Sequence, residues 1–293
     1  MKFSVKELDP GYDFDVTGVS FIGEPKDGTV LFVAGKLRNR LKDLKGIERC
    51  LVFVDEGVEI PEELKEKNCF ITAPDAMIAY GRFAMELEKR EQEERASRKY
   101  TLAPGGFYIG KNVSIGEGTV IEPCCLIDHD VTIGKDCRIG FGTVIRHAEI
   151  GDRFRCGAHT QIGTPSFFPA GEGEEGIRIP SFGRVVIMDD TEMGGNVIIE
   201  RGFNTDTVIG SHVMFDAGVC IGHDDRIGNG VWVLCGSCLG GFVTVGDDAY
   251  IGMNATVKQR LSIGERARVG MGSVVITRVK ADTNVFGSPA ERT

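Results

Sequence analysis

The chain carries its clearest pattern in residues 208–275, which divide into the hexads VIGSHV MFDAGV CIGHDD RIGNGV WVLCGS CLGGFV TVGDDA YIGMNA TVKQRL SIGERA RVGMGS and a final VV. The second position of every hexad, from Ile209 to Val275, is aliphatic or aromatic without exception. A period of six fits neither a helical repeat of about 3.6 residues nor a two-residue alternation. It therefore predicts a repeat architecture in which neighbouring units bury each other's apolar faces.

The structure expected from this period is a parallel β-helix with three-sided coils. Three hexads make one coil, so equivalent residues of adjacent coils stack at strand spacing, ~4.8 Å. An earlier array has the same period and then resumes one residue early, with core residues at Ile109, Ile115, Ile121, Ile127, Ile133, Ile139, Ile145, Ile150, Cys156 and Ile162. We therefore expect one prism from about residue 105 to 278.

Two interruptions break the period. The larger runs from Thr164 to Gly183 and includes the flexible run 171–176. The smaller is a three-residue insertion between Ile199 and Ile209, around residues 201–204. Loops on a rigid scaffold carry variable chemistry, so functional residues are expected near these breaks.

The first hundred residues lack the six-residue period, and their pattern of apolar and charged segments predicts a small α/β domain. Three apolar runs predict buried strands, at 30–33, 50–54 and 69–72. The charged segments 36–45 and 61–67 between them favour helix. A longer helix is expected from near Asp75 to the charge run 86–98, with one face formed by Tyr80, Phe83, Ala84 and Leu87. We predict a nucleotide-binding-like domain over 1–100, the prism domain over 101–280 and a C-terminal tail over 281–293.

Composition narrows the function classes. With 293 residues, 42% of them hydrophobic, and 40 glycines, the chain can bury a large core and form tight corners. A net charge of −9 argues against a nucleic-acid-binding surface. No apolar run is long enough to span a bilayer and the first residues are not a signal peptide, so we expect a cytoplasmic protein.

The nine cysteines are expected to be free thiols that fill small core spaces. Cys235 and Cys238 have the spacing of a redox motif, but they lie inside the repeat, which disfavours that interpretation. Cys220 and Cys238 lie one coil apart, and packing explains this best.

His223 is the strongest candidate for chemistry among the five histidines. It lies at an outward position of its hexad, with Gly241 one coil later and Gln259 two coils later on the same line. A histidine beside stacked glycine backbone suits a general base at an open groove; the alternative is a solvated surface imidazole. His129 and His147 also stack one coil apart, which raises a metal interpretation, but we predict solvent-facing side chains and no metal site.

Several motifs in order resemble the UDP-3-O-acylglucosamine N-acyltransferase family over nearly the whole length. Residues 15–19 and 28–33 are similar to its uridine-binding domain. IPSFGRV at 179–185 resembles its Ile-Pro-Gln-x-Gly-Arg-Val, and ERGFNTDTVIG at 200–210 resembles its Asp-Arg-Gly-x-x-x-Asp-Thr-x-Ile-Gly. IGH at 221–223 falls where the family has its catalytic histidine. Single hexads are unspecific, whereas the ordered set is specific.

The resemblance implies a left-handed β-helix, a homotrimer with active sites between neighbours, and roles for single residues. His223 would be the general base, the Gly241 N–H would face the developing oxyanion, and Phe32 would stack on the uracil. Four further residues are candidates for substrate binding: Arg201, Asp224, Gln259 and Arg260. The family's second uracil-stacking residue, a tyrosine, has no counterpart in residues 35–39. Arg260 stands where some members have a second histidine, and Asp224 replaces an asparagine.

The acyl donor stays open at this point. The ending FGSPAERT, 286–293, resembles the close of coenzyme-A-dependent hexapeptide acetyltransferases, which places Gly287 and Pro289 along the pantetheine, whereas family members continue into helices that bind acyl carrier protein. The donor is therefore acyl carrier protein with a hydroxyacyl chain or a short acyl-CoA. A local basic patch for an anionic donor has these candidates: Arg184, Arg201, Arg260, Arg266 and Arg268.

The sequence thus predicts an N-acyltransferase that acts on the amine of a nucleotide-linked amino sugar. No tightly bound cofactor, no metal and no nucleic-acid partner are expected; the thioester donor is a co-substrate. The first alternative is an acetyl-CoA-dependent N-acetyltransferase for surface glycans. The second, from another class, is a non-catalytic prism that serves as a binding or assembly module.

Overall fold

A computed structural model of the chain describes residues 2–173, 176–289 and 291–292. Contacts divide them into two compact units. The first contains the residues up to Ser97 together with Phe167–Phe182, and the second contains Arg98–Ser166 and Gly183–Thr293. Among the described residues, no helix is both long enough and apolar enough to cross a membrane.

The second unit is a left-handed parallel β-helix with three faces. Face 1 consists of Val120–Ile121, Arg138–Ile139, Arg155–Cys156, Glu192–Met193, Met214–Phe215, Trp232–Val233, Tyr250–Ile251, Arg268–Val269, Asn284–Phe286 and Glu291–Arg292. Face 2 consists of Thr101–Leu102, Tyr108–Ile109, Leu126–Ile127, Val144–Ile145, Gln161–Thr164, Ile198–Glu200, Cys220–Ile221, Cys238–Leu239, Thr256–Val257 and Val274–Val275. Face 3 consists of Ser114–Ile115, Thr132–Ile133, Ala148–Ile150, Val185–Ile187, Thr207–Ile209, Arg226–Ile227, Thr244–Val245 and Ser262–Ile263.

The register of the strands follows the hexads. Val208 pairs with Arg226 and Ile209 with Ile227, so the second hexad position of each coil lies directly on that of the next. These aliphatic residues form the buried core, with Ile221 and Val233 fully inaccessible. The structure therefore has one inward position per strand, and this confirms the fold that the six-residue period predicts. Face 1 continues beyond residue 278, since Asn284 pairs with Arg268.

The first unit contains a four-stranded parallel sheet. Its strands, in spatial order, are Gly18–Val19, Thr29–Val33, Leu51–Asp55 and Cys69–Ala73. A short antiparallel pair, Phe3–Ser4 with Asp15–Val16, precedes it, and 3-10 helices span Val5–Glu7 and Gly35–Leu44. Helix α1 spans Glu62–Lys65 and helix α2 spans Ala76–Ser97. Tyr80, Ala84 and Leu87 of α2 are buried, as the helical pattern predicts.

The segment 167–182 forms a hairpin that packs within the first unit. Its strands, Phe168–Ala170 and Ile177–Ile179, pair antiparallel. At Gly81 of α2 an added Cβ would lie 2.6 Å from Ile177 Cδ1, so a larger residue would require the Ile177 side chain to move. Arg178 also forms an ion pair with Glu88 of α2 at 3.3 Å. The large interruption of the repeat is therefore an ordered element of the first unit over its described residues.

The prediction that cysteines fill the core is correct for some positions and wrong for others. Five are buried: Cys50, Cys69, Cys125, Cys137 and Cys156. Cys124, Cys235 and Cys238 are exposed, and Cys220 is intermediate. Cys220 and Cys238 are register partners in adjacent strands of face 2, at the position before the inward residue, and such positions point outward.

Candidate functional site

The candidate site lies where the chain turns from face 2 to face 3. The strand Cys220–Ile221 ends, His223 and Asp224 form the corner, and the strand Arg226–Ile227 begins. Asp224 has a φ of 59°, a left-handed conformation that aspartate tolerates better than most residues. We refer to this turn as the His223 corner.

The imidazole of His223 is held by the carboxylate of Asp224. Nδ1 lies 2.8 Å from Asp224 Oδ2, and the two side chains are 12% and 1% exposed. A carboxylate only accepts hydrogen bonds, so Nδ1 carries a hydrogen, and in the neutral ring Nε2 is then the acceptor nitrogen. This is the arrangement that a general base requires.

Asp224 is itself fixed by the small insertion of the repeat. Its Oδ2 accepts from the Phe203 N–H at 2.7 Å. Its Oδ1 accepts from the Thr205 N–H at 2.9 Å and from the Thr205 hydroxyl at 2.7 Å. The small insertion and the residue that follows it therefore supply the donors that satisfy and orient a buried carboxyl group.

Gly241 lies directly against the imidazole. A Cβ added at Gly241 would lie 2.5 Å from His223 Nε2, so no larger residue fits without moving the ring. At the equivalent corners of face 3, side chains of the next coil cap the backbone N–H: Asn229 caps Ser211 at 2.9 Å and Asp247 caps Asn229 at 2.8 Å. Within the described part of the chain the Gly241 N–H has no acceptor. It is available to a ligand atom next to Nε2.

Aromatic rings and one cation border the His223 corner. The Phe242 ring lies edge-on to the imidazole with centroids 5.0 Å apart, and the buried Phe203 ring lies 6.5 Å away. The Arg260 guanidinium lies 4.7 Å from the Phe242 centroid and is exposed. Gln259, also exposed, follows Gly241 by one coil. The corner thus offers an apolar wall with a positive charge at its edge.

Two further acids, one half-buried and one fully buried, lie beside His223. Glu200 Oε2 accepts from the His223 backbone N–H at 3.2 Å, and burial raises the pKa of the Glu200 carboxyl. Asp225 is fully buried, and burial raises the pKa of its carboxyl well above the usual range. Neither residue is among the site residues predicted from the sequence. Asp225 could have been found, because it is a charged residue at an inward hexad position.

Three other predicted site residues, Arg201, Gly287 and Pro289, were assigned to ligand binding from the sequence. The buried Arg201 donates from Nε to the Gly183 carbonyl at 2.7 Å, so its guanidinium holds backbone. Gly287 accepts at its carbonyl from the Val274 N–H at 3.0 Å, at the end of face 2. Val274 is three strands from Cys220, which is ~14 Å along the prism. Pro289 follows, and Ala290 of the same motif lies outside the described residues.

Phe32 lies in the parallel sheet of the first unit. Its half-buried ring is 5.2 Å from that of Tyr80, with the ring planes tilted by 40°. Tyr80 of α2 is fully buried, so its ring packs against Phe32 from the helix side. Residues 35–39 contain no tyrosine, and Tyr80 was predicted only as part of the apolar face of the helix.

The stacked histidines His129 and His147 were expected to face solvent. His129 is buried, which corrects the expectation of a solvent-facing ring. Its Nδ1 accepts from the Lys111 N–H at 2.7 Å, and its ring stacks on Tyr100 with centroids 4.6 Å apart. In the portion of the chain that the structure describes, no group of three or more His, Cys, Asp or Glu could hold a metal ion.

Comparisons with known proteins agree with this architecture. The family described as bacterial transferase hexapeptide (six repeats) matches residues 112–147 and 226–259. The UDP-3-O-acylglucosamine N-acyltransferase of Coxiella burnetii (strain Dugway 5J108-111) is 35% identical over 154 residues, which cover 44% of this chain and 45% of that protein. The enzyme of the same name from Methylorubrum extorquens is 41% identical over 86 residues, 29% of this chain and 24% of that protein. The chain thus spans less than half the length of these curated relatives.

Solved structures give the same fold. The UDP-N-acetylglucosamine acyltransferase from Campylobacter jejuni superposes with a TM-score of 0.57 and 22% identity, over 66% of this chain and 74% of that one. The acyltransferase of Francisella novicida with the same substrate name gives a TM-score of 0.54 and 23% identity, over 63% and 68%. At this identity the likeness shows the fold alone. The chain is thus similar to bacterial transferases with hexapeptide repeats over two stretches of its prism, and to UDP-3-O-acylglucosamine N-acyltransferases over part of its length.

Proposed function

We propose that the protein is an N-acyltransferase that moves an acyl group from a thioester to the amine of a nucleotide-linked amino sugar. One observation carries the proposal: the Asp224-oriented imidazole of His223 lies against Gly241, whose N–H is available to a ligand. The names of the relatives supply the substrate class, an acylglucosamine attached to UDP.

The reaction follows from these groups. His223 Nε2 accepts a proton from the amine as the amine nitrogen attacks the thioester carbonyl carbon. The carbonyl oxygen becomes an oxyanion and accepts a hydrogen bond from the Gly241 N–H, a contribution of about 3 kcal/mol for one fixed donor. The C–S bond then breaks, and the leaving thiolate takes the proton from the imidazolium. Asp224 stabilises the imidazolium between the two proton transfers.

The remaining parts of the site are assigned by resemblance and by position. Arg260, Gln259 and Arg201 stay candidates for the sugar nucleotide, and Phe32 stays the candidate for the base. Arg260 has the best support of the four, because it is an exposed cation stacked on a ring that touches His223. We also retain the predictions of a homotrimer with shared active sites and of a cytoplasmic enzyme; light scattering coupled to gel filtration tests the former.

The donor is proposed at the level of a thioester, with two sources to be separated. Acyl carrier protein is favoured by the family resemblance of the sequence motifs, and a short acyl-CoA by the motif that contains Gly287 and Pro289. The packing of Gly287 on Val274 puts this motif on the same face as the strand that leads to His223. A pantetheine chain along face 2 would connect the two.

Turnover assays test the proposal directly. Acetyl-CoA and hydroxyacyl carrier protein are each offered with UDP- and dTDP-linked amino sugars, and the N-acylated sugar is measured by mass spectrometry. His223→Ala is expected to abolish product formation. His212→Ala is the matched control, since His212 is exposed at another corner. Equal turnover by His223→Ala would disprove the assigned base, and absence of turnover with every pair would favour the non-catalytic module.

A further inference from the structure

Asp225 occupies a hexad position that the prism otherwise fills with small or apolar residues. The sixth position of the hexads from 213 to 273 is buried at nearly every coil: Val213, Val219, Val231, Ser237, Val243, Ala249, Ala255, Ala267 and Ser273. Asp225 is fully buried as well, and it is the one carboxyl in this series. A buried carboxyl costs free energy unless hydrogen bonds compensate it. The chain therefore departs from its own repeat at a cost, two residues after His223.

The Asp225 carboxyl replaces a bond of the regular backbone ladder. After other core residues the next N–H donates to a carbonyl of the following coil, as Gly210 does to Ile227 at 2.8 Å and Gly240 to Val257 at 2.9 Å. Among the residues that the structure describes, Gly222 has no such bond. Its N–H instead donates to Asp225 Oδ2 at 3.2 Å.

The second oxygen of the same carboxyl reaches the neighbouring coil. Asp225 Oδ1 accepts from the Val243 N–H at 2.7 Å. Gly222 immediately precedes His223, and Val243 lies two residues after Gly241. One side chain therefore ties together the two coils that carry the imidazole and the glycine amide.

We propose that Asp225 is a positioning residue for acyl transfer, whose carboxyl holds the Gly222 and Val243 amides and so sets the spacing between His223 Nε2 and the Gly241 N–H. This inference rests on the proposed function. Asp225 does not touch the reacting atoms. Its effect is on the geometry of the groups that do.

Replacing Asp225 with the residue type that the repeat uses elsewhere tests the inference. Asp225→Val is expected to fold with a melting temperature near that of the unchanged protein, because relief of the buried carboxyl offsets the loss of an acceptor at the Gly222 and Val243 amides. The kcat is expected to fall by up to about 10²-fold with KM unchanged, since displacements near 1 Å at reacting groups have effects of this size. Hydrogen exchange at the Gly222 and Val243 amides is expected to become faster. Asp225→Asn, which keeps one acceptor, is expected to lie between the two proteins.

Ser237→Val is the matched control. Ser237 occupies the same inward position at the corner between faces 1 and 2, and its hydroxyl donates to the Gly252 carbonyl at 2.7 Å. Its replacement is expected to leave kcat unchanged. A folded Asp225→Val protein with normal kcat would overturn the inference, and so would failure of both Asp225 variants to fold, which would make the residue structural. If the unchanged protein has no turnover, the proposed function fails. Hydrogen exchange at Gly222 and Val243 still shows whether the Asp225 carboxyl holds these two amides.

Discussion

The substitution Asp224→Asn separates orientation of the imidazole from its presence. An asparagine has one acceptor and one donor end, whereas Asp224 accepts from Phe203 and His223 at one oxygen and from Thr205 at the other. Whichever way the amide lies, its NH₂ faces a backbone N–H. If it faces His223, Nδ1 must accept, and the hydrogen moves to Nε2, where the amine proton has to go.

The size of the effect follows from these contacts. General-base catalysis contributes about 10²–10⁴-fold, so we expect kcat/KM to fall by about 10²–10³-fold, or roughly 3–4 kcal/mol of transition-state stabilisation. One buried N–H loses its acceptor, which is expected to lower the free energy of unfolding by about 1–3 kcal/mol. The protein should therefore stay folded and lose most of its activity.

Steady-state kinetics and urea denaturation measure the two quantities. Asp248→Asn is the matched control, because Asp248 has the same hexad position and a φ of 57° but is exposed. We expect Asp248→Asn to change neither kcat/KM nor the free energy of unfolding. If folded Asp224→Asn retains kcat/KM within about threefold of the unchanged protein, the carboxylate does not orient a general base and the mechanism is wrong.

Three further predictions concern neighbouring groups. Gly241→Ala is expected to reduce kcat sharply with the fold retained, since its Cβ would meet His223 Nε2 at 2.5 Å; normal kcat would show that the ring is free to move. Because burial raises the folded-state pKa of Glu200, Glu200→Gln is expected to be more stable than the unchanged protein at neutral pH. That difference should vanish as pH falls below about 4.3, the unfolded-state pKa of glutamate, and urea denaturation across pH would contradict this if the difference were constant. The Cys220 thiol, by hydrogen bonding, lowers the pKa of Cys238 to about 7, so iodoacetamide is expected to label Cys238 faster than the exposed Cys124 at neutral pH, and Cys220→Ala to slow that labelling. Equal labelling rates in both proteins would show that Cys220 has no such effect.

The hexad period predicts the prism because one inward residue per strand is a strict geometric requirement. Ile209, Ile227 and Val245 stack as expected, and even the early restart at Ile150 appears as the register partner of Ile133. The period does not show where an interruption packs, since the hairpin 168–179 has no repeat of its own. Its place in the first unit depends on contacts such as that of Ile177 with Gly81.

The candidate site was only partly predictable from the sequence. Spacing alone brings His223 and Gly241 together, because they lie one coil apart. Whether Asp224 reaches the imidazole depends on the Phe203 and Thr205 amides, which lie in an insertion without a period. Asp225 could have been predicted, because it is a carboxyl in a series of small and apolar residues. The series is recognised once the sixth position of each hexad is known to be buried as well as the second.

The central claim is that the amine of the substrate is acylated in the space between the His223 imidazole and the Gly241 backbone N–H. A crystal structure with the N-acylated sugar nucleotide bound tests it most directly. We predict that the product carbonyl oxygen lies about 3 Å from the Gly241 nitrogen and that the amide nitrogen faces His223 Nε2. A product bound with its amide far from both groups would contradict the account.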